Sequence, residues 1–139
     1  MRARAGIAAA SAAALCVLAG AAAAAPTQRF FFSAPPVKAS CELDVGVPGL
    51  PDGAHCLVGP PQVAEHAAVS VDLSASGKVG ICRGLRCIGN APEHTPTIGA
   101  GKSVTLGPFE CTSLRTGVRC VVTRLGHGFV LGLHGAERV

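Results

Sequence analysis

Two residue types in this sequence could carry chemistry: five histidines and seven cysteines. His55 stands beside Cys56 and His127 follows Cys120, so a zinc centre is the first possibility to weigh. Structural zinc uses close pairs such as C-x2-C, with a second pair at matching distance. Here the closest cysteines, Cys82 and Cys87, have four residues between them and no partner pair. The spacing therefore predicts no metal site, and no motif calls for another cofactor.

Nucleophilic catalysis by cysteine needs an unpaired thiol. Apart from Cys16, which sits in the N-terminal apolar stretch, the cysteines form an even set: Cys41, Cys56, Cys82, Cys87, Cys111 and Cys120. Six cysteines in a small exported chain read as a disulfide framework with none to spare. Many pairings are open to six cysteines, but their grouping as sequence neighbours, the natural result of cysteines on adjacent hairpin strands, favours Cys41 with Cys56, Cys82 with Cys87, and Cys111 with Cys120.

Ser70, Asp72, His66 and His127 supply the residue types of a Ser/His/Asp arrangement, yet no G-x-S-x-G elbow follows a strand. The carboxylates Glu65, Asp72, Glu93 and Glu110 are isolated, with no pattern that fixes the separation glycoside cleavage requires. No glycine-rich phosphate loop precedes a helix, and five phenylalanines without Trp or Tyr build no stacking platform for bases or sugars. The expectation is a protein that is not an enzyme. His127 is expected to occupy a turn between two strands, where Gly126 and Gly128 give the backbone its freedom and Phe129 begins the returning strand.

The elements that must hold these residues follow from targeting, charge and periodicity. Arg2 and Arg4, the apolar run from Ile7 to Leu18, and Ala23-Ala24-Ala25 before Pro26 read as a helical signal peptide over residues 1–25. The residue before Cys16 is Leu15, which disfavours a lipid anchor and favours free secretion to the extracellular space. The run stops short of a membrane span, so none is expected after cleavage. Removing Arg2 and Arg4 from the 12 basic residues leaves 10 against 8 acidic ones, a net charge of +2. That balance, with scattered basic residues, excludes a nucleic-acid partner.

Residues 26–37 read as an N-terminal tail and edge strand around the Phe30–Phe32 run, packed on the core. Residues 38–139 read as a single disulfide-bonded β domain. "AAVSVDLS", "KVGICRG", "KSVTLG", "GVRCVVT" and "GFVLGL" alternate at the strand period, and no long apolar pattern at period 3.6 interrupts them. "VPGLPDGAH" and "GPPQ" read as loops, "SASGK" as a hairpin turn closed by Gly77, and "RLGHG" as another. The longest connection, "NAPEHTPTIGAG" from Asn90 to Gly101, is the first choice for a binding surface. The fold class expected is all-β: a small disulfide-stabilised sandwich or partly open barrel.

Together these residues resemble a family of small secreted or surface-anchored domains of unknown function from high-G+C Gram-positive bacteria. Phe32, Pro35 and Cys41 fall at that family's spacing, although Pro36-Val37-Lys38 replaces Ser-Gly-Asn. "GICRG" resembles a Phe-x-Cys-x-Gly-Asp-Thr element, and the closing stretch is similar through Cys111, Ser113, Gly117, Val118, Cys120 and Gly126-His127-Gly128-Phe129. Where the family tends to carry a cysteine before the "AVSVDL" strand, this chain has Glu65 or His66. Cys87 is then the substitute partner of Cys82. The resemblance implies an exported, disulfide-bonded β domain and no activity.

Three functions remain. The first is a non-enzymatic extracellular or cell-envelope binding module whose partner is a protein or glycan. The second is an inhibitor of a secreted hydrolase, presenting a rigid loop such as Asn90–Gly101 or Arg83–Arg86. The third is a small hydrolase.

Overall fold

A computed structural model describes residues 28–35 and 37–139 of the chain. The signal-peptide reading of residues 1–25 lies outside the described residues.

Among the described residues ten strands follow one another, joined by turns except for the longer connections over residues 59–68 and 84–102: β1 (Gln28–Ala34), β2 (Ala39–Val45), β3 (Gly53–Val58), β4 (Val69–Ser74), β5 (Val79–Arg83), β6 (Ser103–Leu106), β7 (Phe109–Leu114), β8 (Gly117–Val122), β9 (His127–Gly132) and β10 (Gly135–Arg138). Two short 3-10 turns, Glu65–Ala67 and Leu85–Cys87, lie in the connections. β1 to β5 form one antiparallel meander and β6 to β10 a second, each with its strands in sequence order. The expected all-β class is therefore realised as a sandwich of two open five-stranded sheets, not as a barrel.

Alternation explains the layering. Phe32, Cys41, Leu43, Cys56, Val71 and Leu73 point from the first sheet into one core, and Phe109, Cys111, Val118, Cys120, Phe129 and Leu131 meet them from the second. Successive side chains in a strand face opposite ways, so the residues between these are sent outward. With no Trp or Tyr and five Phe, the core is built from Val, Leu, Ala and half-cystines. Three phenylalanines, Phe32, Phe109 and Phe129, are its largest fully buried side chains.

Disulfides tie each sheet. Cys41 faces Cys56 across β2 and β3, and Cys111 faces Cys120 across β7 and β8. Both are bonded, with Cα atoms 4.1 Å apart, and the third bridge joins Cys82 to Cys87 at the end of β5. The two meanders share a layout: β3 reads GAHCLV, β8 reads GVRCVV, and each is the third strand of its sheet with its cysteine bonded to the strand before.

One edge is covered. β1 is covered by the long connection after Cys87: the Ser33 amide donates to Pro96 O at 2.9 Å, and the Ile98 amide donates to Ser33 O at 2.9 Å. Those bonds occupy main-chain groups that an open edge strand would present for association.

Three local readings need correction. "VPGLPDGAH" is a loop only as far as Asp52, because Gly53–His55 already belongs to β3. The reversal before Phe129 is made by residues 123–126, where Gly126 adopts φ +68° and its amide donates to Val122 O at 2.9 Å. His127 is not in that turn; it opens β9 opposite Val122, and its side chain lies against Gly77 in the β4–β5 turn. Gly128 is buried in the strand, and its role is close approach: a Cβ there would collide with the carbonyl oxygen of Cys120.

Candidate functional site

Sheet register builds the site. On the outer face of the first sheet, Phe31 lies opposite Glu42, Glu42 opposite His55, and His55 opposite Asp72. Each polar member sits between core residues of its strand, as Glu42 does between Cys41 and Leu43, so alternation alone presents them on one surface. Arg29 joins from the next row, opposite Asp44.

His55 Nδ1 and Asp72 Oδ1 are 2.7 Å apart, which fixes the imidazole ring plane. Asp72 is the one hydrogen-bond partner of the His55 side chain among the described residues. Arg29 Nε donates to Asp44 Oδ1 at 2.6 Å and lies 2.9 Å from Glu42 Oε1, so one cation serves two carboxylates. Its guanidinium also sits 5.8 Å from the Phe31 ring centroid, within cation–π range. Burial, followed by the neighbouring charge of Asp44, pushes the Glu42 carboxyl above its ordinary value, partly offset by Arg29. The hydrogen bond to Asp44 is the largest influence that raises Arg29.

The connection after Cys87 passes over one end of this face. A cleft of about 110 Å³ opens between it and the sheet, walled by Phe31, Leu57, Ala91 and Pro92, with Glu42 and His55 on its polar side. A wider groove of about 620 Å³ continues from it along Ser40, Leu57, Gln62, Ile88 and Asn90. A second recess, beyond His55, is bordered by Asp44, Asp52 and Asp72. His55 thus stands between two depressions.

This arrangement suits recognition. It offers fixed ionic and hydrogen-bonding groups beside an apolar wall. All six described cysteines are in disulfides, and among the described residues no serine hydroxyl bonds His55.

The residues singled out by sequence are mostly elsewhere. Ser70 is buried, His66 is exposed in the first 3-10 turn, and Asp72 pairs with His55 instead of either His66 or His127. Adjacent strand positions face opposite ways, so Cys56 enters the core while His55 faces out; they do not share a ligand site. Cys41, Cys56 and Cys120 are the one group of three metal-ligating side chains brought together among the described residues, and their sulfurs are committed to disulfides. Phe30 packs on the core, Phe32 is buried and Phe31 faces the cleft. Sequence reasoning did not single out Glu42 or Arg29.

No helix among the described residues is long and apolar enough to cross a membrane. Comparison of the chain with protein-family models, with curated proteins and with solved structures found no match.

Proposed function

We propose that the protein is a secreted, disulfide-stabilised binding module of the extracellular space or cell envelope, and that its ligand face is the outer surface of the first sheet. The observation that carries this reading is the cleft between Phe31, Glu42, His55 and Leu57 and the connection over residues 89–95. An apolar wall with a few converging polar groups is the usual composition of a recognition site. Three disulfides fit an oxidising compartment. The resemblance to small secreted or surface-anchored domains from high-G+C Gram-positive bacteria supports the same location.

The test is an NMR titration of isotope-labelled mature protein with fractionated envelope material from the producing organism. Saturable shifts confined to Phe31, Glu42, His55, Leu57 and residues 89–95 support the reading. Shifts confined to the second sheet, or none in any fraction, overturn it.

A second reading has its own observation. The Cys82–Cys87 bridge closes a short loop in which Leu85 is 47% exposed between Arg83 and Arg86. A constrained loop with a projecting apolar side chain is what an inhibitor of a secreted hydrolase would present, because its ordering cost is already met. Failure to slow any member of a panel of secreted proteases and lysozymes at micromolar concentration removes this reading.

A further inference from the structure

We infer that the cleft beside Glu42 receives a lysine side chain of a partner polypeptide, its ammonium group at the Glu42 carboxylate and its stem along Phe31 and Leu57. This rests on the binding-module reading and names the partner's chemistry.

Size decides first. Pockets for drug-sized molecules enclose roughly 300–1,000 Å³, whereas this cleft encloses about 110 Å³. The cleft by itself is the size of one side chain. The adjoining groove of about 620 Å³ has room for the main chain on which that side chain would be carried.

Charge decides the head group. Glu42, Asp44 and Asp72 lie on this face; among the described residues Arg29 pairs with Glu42 and Asp44, and Asp72 pairs with His55. Arg29 is shared between Glu42 and Asp44, so that trio carries an uncompensated negative charge. Burial and Asp44 also disfavour the ionised Glu42 carboxyl, and an added cation would relieve that penalty.

Shape decides between cations. Glu42 is already approached by a guanidinium from the Arg29 side, 2.9 Å from Oε1. What the cleft adds is an apolar wall of Phe31, Leu57, Ala91 and Pro92, along which a four-carbon stem would lie while its ammonium reaches Glu42.

The experiment titrates labelled protein at neutral pH with a short disordered peptide carrying one lysine and capped at both ends. The same peptide with its lysine Nζ acetylated serves as the control, and butylamine tests the isolated side-chain chemistry. Saturable shifts at Phe31, Glu42, His55 and Leu57 are expected, absent with the acetylated peptide. Glu42→Gln should weaken the interaction about tenfold, the scale of a lost charge-assisted hydrogen bond, while its spectrum and melting point report an intact fold.

Binding of butylamine without tighter binding of the peptide overturns the polypeptide partner. Equal shifts from the acetylated peptide, or no saturable shift, overturn the lysine assignment. If envelope material still shifts these residues when the lysine peptide does not, only this inference falls; if both fail, the binding-face reading falls with it.

Discussion

Cys56 Sγ lies 3.7 Å from Cys120 Sγ. Each sulfur is already in a disulfide, so neither carries a proton to donate, and the approach is a van der Waals contact between two bridges. The covalent ties of the two sheets therefore touch across the midplane of the sandwich, and the largest polarizable atoms of an aromatic-poor core fill its centre.

Disulfide removal should show that contact as non-additivity. Replacing Cys111 and Cys120 together by alanine is expected to cost about 2–4 kcal/mol, from lost chain constraint plus lost packing. Replacing Cys41 and Cys56 together should cost a similar amount. The four-fold variant should depart from the sum of the two by more than about 0.5 kcal/mol, since groups in contact do not act independently. Urea unfolding of the three variants measures this, and strict additivity would show that the bridges act separately.

Two neighbouring glycines should respond in opposite degree. Gly126 holds φ +68° with open space around its Cβ position, so Gly126→Ala meets only backbone strain of about 1–2 kcal/mol. At Gly128 the backbone is not left-handed, but the added carbon would strike Cys120 O. Gly128→Ala must push β8 and β9 apart and should fail to give a dispersed NMR spectrum. Equal melting points for the two variants would contradict the close-approach role.

Glu42 should tilt the pH dependence of stability. Its folded-state pKa is raised, by burial first and by Asp44 second, from an ordinary value of 4.5. Such a group binds more protons when folded. Its stabilising contribution is fully present below the unfolded pKa and is lost as pH rises through the folded pKa. Relative to Glu42→Gln, the wild type should therefore lose stability as pH rises above the ordinary carboxyl value of 4.5. Parallel stability curves over that window would show that Arg29 cancels the effect of burial.

The sandwich was largely legible because alternation and cysteine spacing are local signals. In "AVSVDL" alternation marks Val69, Val71 and Leu73 as the inward face, although Ser70 is buried too, and hairpin neighbours such as Cys111 and Cys120 need no long-range information. Half of the site row was within reach as well. Once Cys41 is set opposite Cys56, antiparallel register places Glu42 opposite His55. The sequence pattern nevertheless places His55 in a loop, because Pro51, Asp52 and Gly53 punctuate the chain immediately before it. Its contact with Asp72 depends on how β4 registers on β3 after a connection spanning residues 59–68, which no local pattern fixes. The covering of β1 was hidden for a different reason: the bonds at Pro96 and Ile98 are made by main-chain atoms, and those leave no mark on side-chain composition.

The roof of the cleft should be separable from the rest of the fold. It is pinned to β1 by the two hydrogen bonds of Ser33 and by Ile98, whose side chain packs on the edge of the core. Ile98 is half-buried, so Ile98→Ala is expected to cost about 1–2 kcal/mol, less than full core truncation. The loss should fall on local opening, because the second sheet keeps its own disulfide and its own strand pairing. Hydrogen exchange checks this: the Ser33 and Ile98 amides should exchange about tenfold faster, the equivalent of about 1.4 kcal/mol, while the Cys111 and Cys120 amides are unchanged. Uniform acceleration across both sheets would mean that the connection is part of the cooperative core, and that the cleft cannot open without unfolding the domain.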